Sequence, residues 1–166
     1  VQLGIECEVA VRLGADIPQS GAPYDRTKVS EAIESLSTAF EVIDIRRAPG
    51  VEAKVQFITG VAANVYNEGV VLGNPVTDWH RLDLQEAYGS MTINGELVGD
   101  GHGSDVMGHP LEPLAWLANK LAEQGIGLTA GMVIITGSIV SPKPVNPGDL
   151  ASITIEGLGG AEITVV

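Results

Sequence analysis

The chain has 166 residues, 45% of them apolar and 18% charged, with 21 glycines and 9 prolines, a balance that fits one folded, loop-rich domain and excludes a disordered chain. A formal net charge of −12 repels phosphate backbones and anionic lipid surfaces, which argues against nucleic acid or a membrane as partner. A single cysteine, Cys7, cannot close an internal disulfide, no apolar run is long enough to span a bilayer and no basic-then-apolar leader opens the chain, so the cytoplasm is the expected compartment; the missing initial methionine hints at a fragment.

Leu3 to Leu13 alternates and is rich in branched residues, which predicts a strand, and the turn-rich stretch Gly14 to Tyr24 follows. Asp25 suits the cap of a helix over Arg26 to Leu36, where Val29, Ile33 and Leu36 recur at helical spacing. Phe40 to Ile45 reads as a strand, Ala53 to Val65 as a short helix, and Gly69 to Gly73 as a buried strand ended by Asn74-Pro75. Asn94-Gly95, set between Met91-Thr92-Ile93 and Glu96-Leu97-Val98, marks a tight hairpin, because both turn positions need positive φ. The glycine-rich run Gly99 to Gly103 has neither the dinucleotide fingerprint nor a Gly-Lys-Ser/Thr ending, so it is expected to bend the chain between a strand and a helix. That helix runs from Pro110 to Gln124, with Leu111, Leu114, Ala115, Ala118, Leu121 and Ala122 as its apolar stripe and Gly125 as its C-terminal cap. Met132 to Thr136 reads as a buried strand, Asn146-Pro147-Gly148-Asp149 as a type II turn, and Gly159-Gly160 as the turn between two last strands. Many short strands with few helices and no regular strand-helix alternation predict an α+β domain on a folded-over antiparallel or mixed sheet, spanning residues 1–166 without repeat or linker.

Along the first strand Glu6 and Glu8 project from one face roughly 7 Å apart, while Cys7 points the other way. The pair alone fits an edge strand with a solvated outer face. Glu41 adds weight to a cation site, because it too interrupts an apolar strand, Phe40-Glu41-Val42-Ile43, where an unpartnered charge is costly; Asp44 is a weaker candidate in the same segment. Three carboxylates without His or Cys suit a hard ion such as Mg²⁺ or Mn²⁺. His80, His102 and His109 lack the spacing of paired helix ligands and read as structural or surface groups. In Thr136-Gly137-Ser138 the glycine permits close backbone approach and the Ser138 hydroxyl suits either a ligand carboxylate or a turn cap.

Taken together, these segments resemble the fumarylacetoacetate hydrolase superfamily, and within it the 2-oxopent-4-enoate hydratases and 4-oxalocrotonate decarboxylases. The resemblance covers nearly the whole chain and rests on Gly4-Ile5-Glu6-Cys7-Glu8, Phe40-Glu41-Val42-Ile43, Val70-Val71-Leu72-Gly73, Gly108-His109-Pro110-Leu111 with Leu114 to Ala118, and Thr136-Gly137-Ser138 before Pro147-Gly148-Asp149. It implies a mixed β-roll with flanking helices, a homo-oligomer, one Mg²⁺ or Mn²⁺ on Glu6, Glu8 and Glu41, and a small 2-oxo acid substrate near Asn64, Gly137 and Ser138. The implied activity is hydration of a 2-hydroxypenta-2,4-dienoate type substrate in aromatic-compound catabolism, with 4-oxalocrotonate-type decarboxylation or C–C bond hydrolysis as alternatives. Members of this branch carry an additional N-terminal segment that brings a lysine and an acid to the site, whereas this sequence begins just before Glu6; they also have an aspartate before the asparagine matched to Asn64, where Ala63 stands here. No catalytic acid or base is assigned in this chain, and an inactive metal-binding or oligomer-forming module is the rival from another class.

Overall fold

A computed structural model describes residues 2–46 and 50–166. The described residues form two four-stranded sheets, one ordered β3-β2-β1-β6 and the other β5-β4-β7-β8. In the first sheet the strands are β1 (Gln2–Leu13), β2 (Ile33–Ile45), β3 (Asn67–Leu72) and β6 (Val133–Pro144). In the second they are β4 (Tyr88–Ile93), β5 (Glu96–His102), β7 (Leu150–Ile155) and β8 (Gly159–Thr164). Every named ladder is antiparallel, which settles the antiparallel alternative of the α+β expectation among the described residues. Among the described residues three α-helices accompany the sheets: α1 (Arg26–Ser30), α2 (Ala53–Ala62) and α3 (Glu112–Ala122). Among the described residues no helix is long and apolar enough to cross a membrane.

One apolar core lies between the layers. Ile5, Val9, Val11 and Leu13 of β1 and Leu36 and Phe40 of β2 join Met91, Ile153 and Ile155 of the second sheet and Leu114 and Ala118 of α3. The stripe expected on α3 is therefore the face it buries, and Gly125, at φ +77°, ends it in the left-handed conformation expected of a C-terminal cap. Asn94 and Gly95, at φ +53° and +82°, form the hairpin between β4 and β5.

Several expectations need correction. The helix predicted over 26–36 stops at Ser30, and β2 starts at Ile33. Ser35, Leu36, Ser37, Thr38 and Ala39 are all buried, so this strand is covered on both faces, and on such a strand apolar residues at helical spacing carry no information about period. The helix predicted to reach Val65 ends at Ala62, and Asn64, Val65 and Tyr66 turn left-handed at φ +53°, +52° and +68°. β3 is an edge strand rather than a buried one, with Val70, Val71 and Leu72 between 37% and 39% exposed. The glycine run 99–103 continues β5 through His102 instead of forming a loop. Glycine is needed there for close approach, since a Cβ on Gly101 would lie 2.4 Å from the Ile139 carbonyl oxygen. Met132 and Val133 are exposed although Thr136 is buried, and the strand runs on to Pro144, so Thr136-Gly137-Ser138 lies inside it and not at its end. Finally, β7 and β8 are joined by residues 156–158 with Gly157 at φ +78°, and Gly159-Gly160 already belongs to β8.

Candidate metal centre

β1 is the second of the two inner strands of its sheet, hydrogen-bonded to β2 on one side and β6 on the other, so the edge-strand explanation of Glu6 and Glu8 fails. Ile5, Cys7, Val9 and Val11 fill the core, which turns Glu6 and Glu8 to the opposite face. The register then places Glu6 directly across from Glu41, and Glu8 across from Ala39 on one side and Ser138 on the other. One carboxylate oxygen from each of Glu6, Glu8 and Glu41 lies within 4.8 Å of the other two. Like charges directly opposed across a ladder repel, so this register needs protons or a cation.

Glu8 is only 2% exposed, while Glu6 and Glu41 are half-buried. Burial, and then the charge of Glu41, pushes the Glu6 carboxyl up to about 7 against a hydrogen bond with Glu8. Burial likewise pushes Glu8 up to about 8; the Gly137 amide opposes that rise, and the charges of Glu41 and Glu6 add to it. Among the described residues no Lys or Arg forms an ion pair with any of the three. An all-carboxylate set of this kind fits a hard divalent ion, which would neutralise the cluster and leave coordination positions for water or substrate oxygen. Cys7 points into the core and is no ligand, its thiol pushed up to about 12 by burial and by Glu8.

Two neutral donors hold the cluster. The Gly137 backbone N–H donates to Glu8 Oε2 at 2.6 Å, from a glycine at φ +117°, a conformation that side chains resist. The Asn67 side-chain amide donates to Glu41 Oε1 at 2.7 Å. Sequence reasoning missed Asn67; its only signal was a polar amide entering the strand next to the one carrying Glu41. A register shift between Val42 and Ile43 in the β2–β3 ladder accompanies this reach, with Asn67 opposite Ile43 and Val70 opposite Glu41.

The other predicted site residues divide. Ser138 sits in β6 opposite Glu8, next to the cluster. The Gly137 amide is directed at Glu8. Asn64 lies on the left-handed turn that precedes Asn67, and its side chain makes no hydrogen bond among the described residues. Asp44 is excluded from the cluster, since it alternates to the other face of β2, 3.9 Å from Arg46. The histidines lie outside this cluster, and His109 Nδ1 accepts from the Leu111 amide just before α3.

Two packed antiparallel sheets, with an acidic cluster on the inner strands of one of them, define an α+β roll with one candidate cation centre among the described residues. The chain belongs to the family described as fumarylacetoacetate (FAA) hydrolase C-terminal, which it matches over residues 1–166. It is 37% identical to the 2-hydroxyhexa-2,4-dienoate hydratase of Comamonas testosteroni over 163 residues, covering 98% of this chain and 60% of that one. It is 35% identical over 162 residues to a 4-oxalocrotonate decarboxylase of Pseudomonas putida, with the same 98% and 60% coverage. Among solved structures, the 4-oxalocrotonate decarboxylase from Pseudomonas putida G7, complexed with magnesium and adipate, superposes with a TM-score of 0.88 at 32% identity, covering 100% of this chain and 61% of that one. The chain thus spans about 60% of the length of the curated relatives it matches.

Proposed function

We propose that residues 1–166 form the single metal-binding domain of a divalent-metal-dependent lyase. Its reaction is hydration of a 2-hydroxypenta-2,4-dienoate type substrate, a 2-oxo alkenoate in its keto form, of the kind met in aromatic-compound catabolism. Glu6, Glu8 and Glu41 hold one Mg²⁺ or Mn²⁺, and Asn64, Gly137 and Ser138 flank the substrate. The observation that carries this reading is the opposition of Glu6 and Glu41 across the ladder, with Glu8 buried beside them and, among the described residues, no cationic side chain paired with the three. Similarity to a hydratase and to a magnesium-complexed decarboxylase supports the choice of ion and of reaction class.

When bound, the ion supplies positive charge that orients a 2-oxo carboxylate and stabilises enolate character at its keto group. The protein's own contribution is positioning. Gly137 fixes one oxygen of Glu8 and Asn67 one oxygen of Glu41, so both carboxylates keep a lone-pair edge free for the ion. Ser138, opposite Glu8, offers a hydroxyl to the substrate carboxylate.

Decarboxylation of a 4-oxalocrotonate-type dioate is the second reading, favoured by the superposition with a decarboxylase at a TM-score of 0.88. Both reactions draw on the same electron sink. The exposed apolar face of α2, with Phe57 73%, Ile58 59% and Val61 60% exposed, supports assembly as a homo-oligomer, and the lone buried Cys7 supports a cytoplasmic setting. Turnover is tested by the Mg²⁺- or Mn²⁺-dependent loss of 2-hydroxypenta-2,4-dienoate absorbance, with 4-oxalocrotonate as the parallel substrate. Glu8→Gln is expected to abolish both metal binding and turnover; activity that survives this substitution contradicts the metal role.

A further inference from the structure

Far from the acidic cluster, α1, the turn at Trp79 and the entry to α3 line a cavity of about 210 Å³. α1 leads into β2 at Ile33, and Ile33 lies eight residues, or about 26 Å of strand, from Glu41. The cavity is therefore separate from the metal centre. The chain carries 21 acids against 9 bases, yet among the described residues no acidic side chain lines this cavity, while Arg26, His80 and His109 do.

Its lining is rich in hydrogen-bond donors that the described residues leave unused. Trp79 is 5% exposed, and its buried Nε1–H has no acceptor, although a buried indole N–H ordinarily finds one. His109 Nδ1 accepts from the Leu111 amide, and burial, then Arg26, lowers the pKa of this ring against the opposing charges of Glu112 and Asp83. The ring is thus held neutral with its proton on Nε2, as a donor. Arg26 Nη1 lies 3.5 Å from Glu112 Oε1, a solvent-exposed contact that leaves most of the guanidinium N–H groups free. Beside these donors Trp79, Leu84 and Leu111 supply an apolar wall.

We infer that this cavity is a second binding site, for a short-chain monocarboxylate, with the carboxylate on Arg26 and His109 Nε2–H and the alkyl tail against Trp79, Leu84 and Leu111. A set of donors without a competing carboxylate calls for an anion, and a guanidinium fork matches the two oxygens of a carboxylate. The apolar wall selects a ligand with a hydrocarbon part: phosphate would leave that wall uncovered, and a dicarboxylate would press its second charge against it. Volume sets the size, since the cavity equals about seven waters at roughly 30 Å³ each, room for an acid of about six non-hydrogen atoms. The inference stands on these residues alone and is independent of the ion assigned to Glu6, Glu8 and Glu41.

Titration of the ¹⁵N-labelled, Mg²⁺-saturated chain with butyrate tests this through its two indole N–H resonances, assigned with Trp79→Phe. The Trp79 resonance is expected to move saturably, with half-saturation at roughly 1–10 mM, while that of Trp116, 54% exposed on α3, stays in place. Arg26→Gln should weaken binding about tenfold and Arg26→Lys less, with melting curves confirming that both are folded. Butyramide, the uncharged isostere, should bind about tenfold more weakly than butyrate, and so should inorganic phosphate. The response should persist in Glu8→Gln, which separates it from a carboxylate held at the metal centre. No saturable shift, an Arg26→Gln variant with unchanged affinity, or a response lost in Glu8→Gln overturns the second site. Phosphate or butyramide binding as tightly as butyrate overturns its assignment to a monocarboxylate.

Discussion

Each sheet of this molecule has a glutamate directly across a ladder from another polar residue, and the two pairs lie in opposite physical situations. In the second sheet Glu162 of β8 faces Ser152 of β7, accepts its hydroxyl hydrogen bond at 3.0 Å and remains exposed. In the first sheet Glu6 faces Glu41, both half-buried, with Glu8 almost wholly buried next to them. The first pair is complete with protein and water alone. The second is incomplete until protons or a cation arrive, because burial removes the solvent that would screen three like charges. Residue type is the same in both places; the difference lies in how many strands cover the face and which residue the register puts opposite.

That contrast can be sharpened by substitution. Asn67→Ala removes the side-chain amide that donates to Glu41, and it is expected to weaken Mg²⁺ binding by roughly 10- to 100-fold in a calorimetric titration. A metal affinity unchanged from wild type would show that Glu41 needs no such support.

A smaller effect is expected from pH alone. Glu6 and Glu8 are raised to about 7 and about 8 from an ordinary 4.5, so the metal-free fold holds protons that the unfolded chain releases. Their contribution to stability is fully present below pH 4.5 and is lost as pH rises through 7 to 8. Melting temperatures of the metal-free chain should therefore decline across that window, and saturating Mg²⁺ should abolish the decline. A flat metal-free profile would mean that the carboxylates are already balanced within the protein.

The smallest effect belongs to the second sheet. Glu162→Gln should change stability by no more than about 0.5 kcal/mol and leave metal affinity untouched, as measured by melting and by the same titration. A large loss there would erase the distinction between the two pairs.

Parts of this arrangement were legible in the sequence. Alternation put Glu6 and Glu8 on one face, and the apolar setting of Glu41 marked a charge in need of a partner. The Asn94-Gly95 hairpin was legible because its backbone demands are local. What joins Glu6 to Glu41 was not, since a register between strands about thirty residues apart depends on the intervening turn and on the irregularity between Arg12 and Leu13. The helix expected over residues 26–36 failed for a related reason: burial of β2 on both faces comes from its neighbours in space, and no local pattern encodes it. Asn67 was hidden twice over, by the left-handed turn before it and by the register shift between Val42 and Ile43. Asp44 and Glu41, three residues apart in one strand, were separated only once the pleat had sent them to opposite faces.

The central claim is that the three carboxylates act as one centre for one ion. Titration of the wild-type chain with Mn²⁺ at pH 7, with the heat measured in two buffers of different ionisation enthalpy, tests it most directly. The account predicts one ion per chain, with release of the protons that Glu6 and Glu8 hold at that pH. Binding without proton release, or no saturable binding at all, would contradict it.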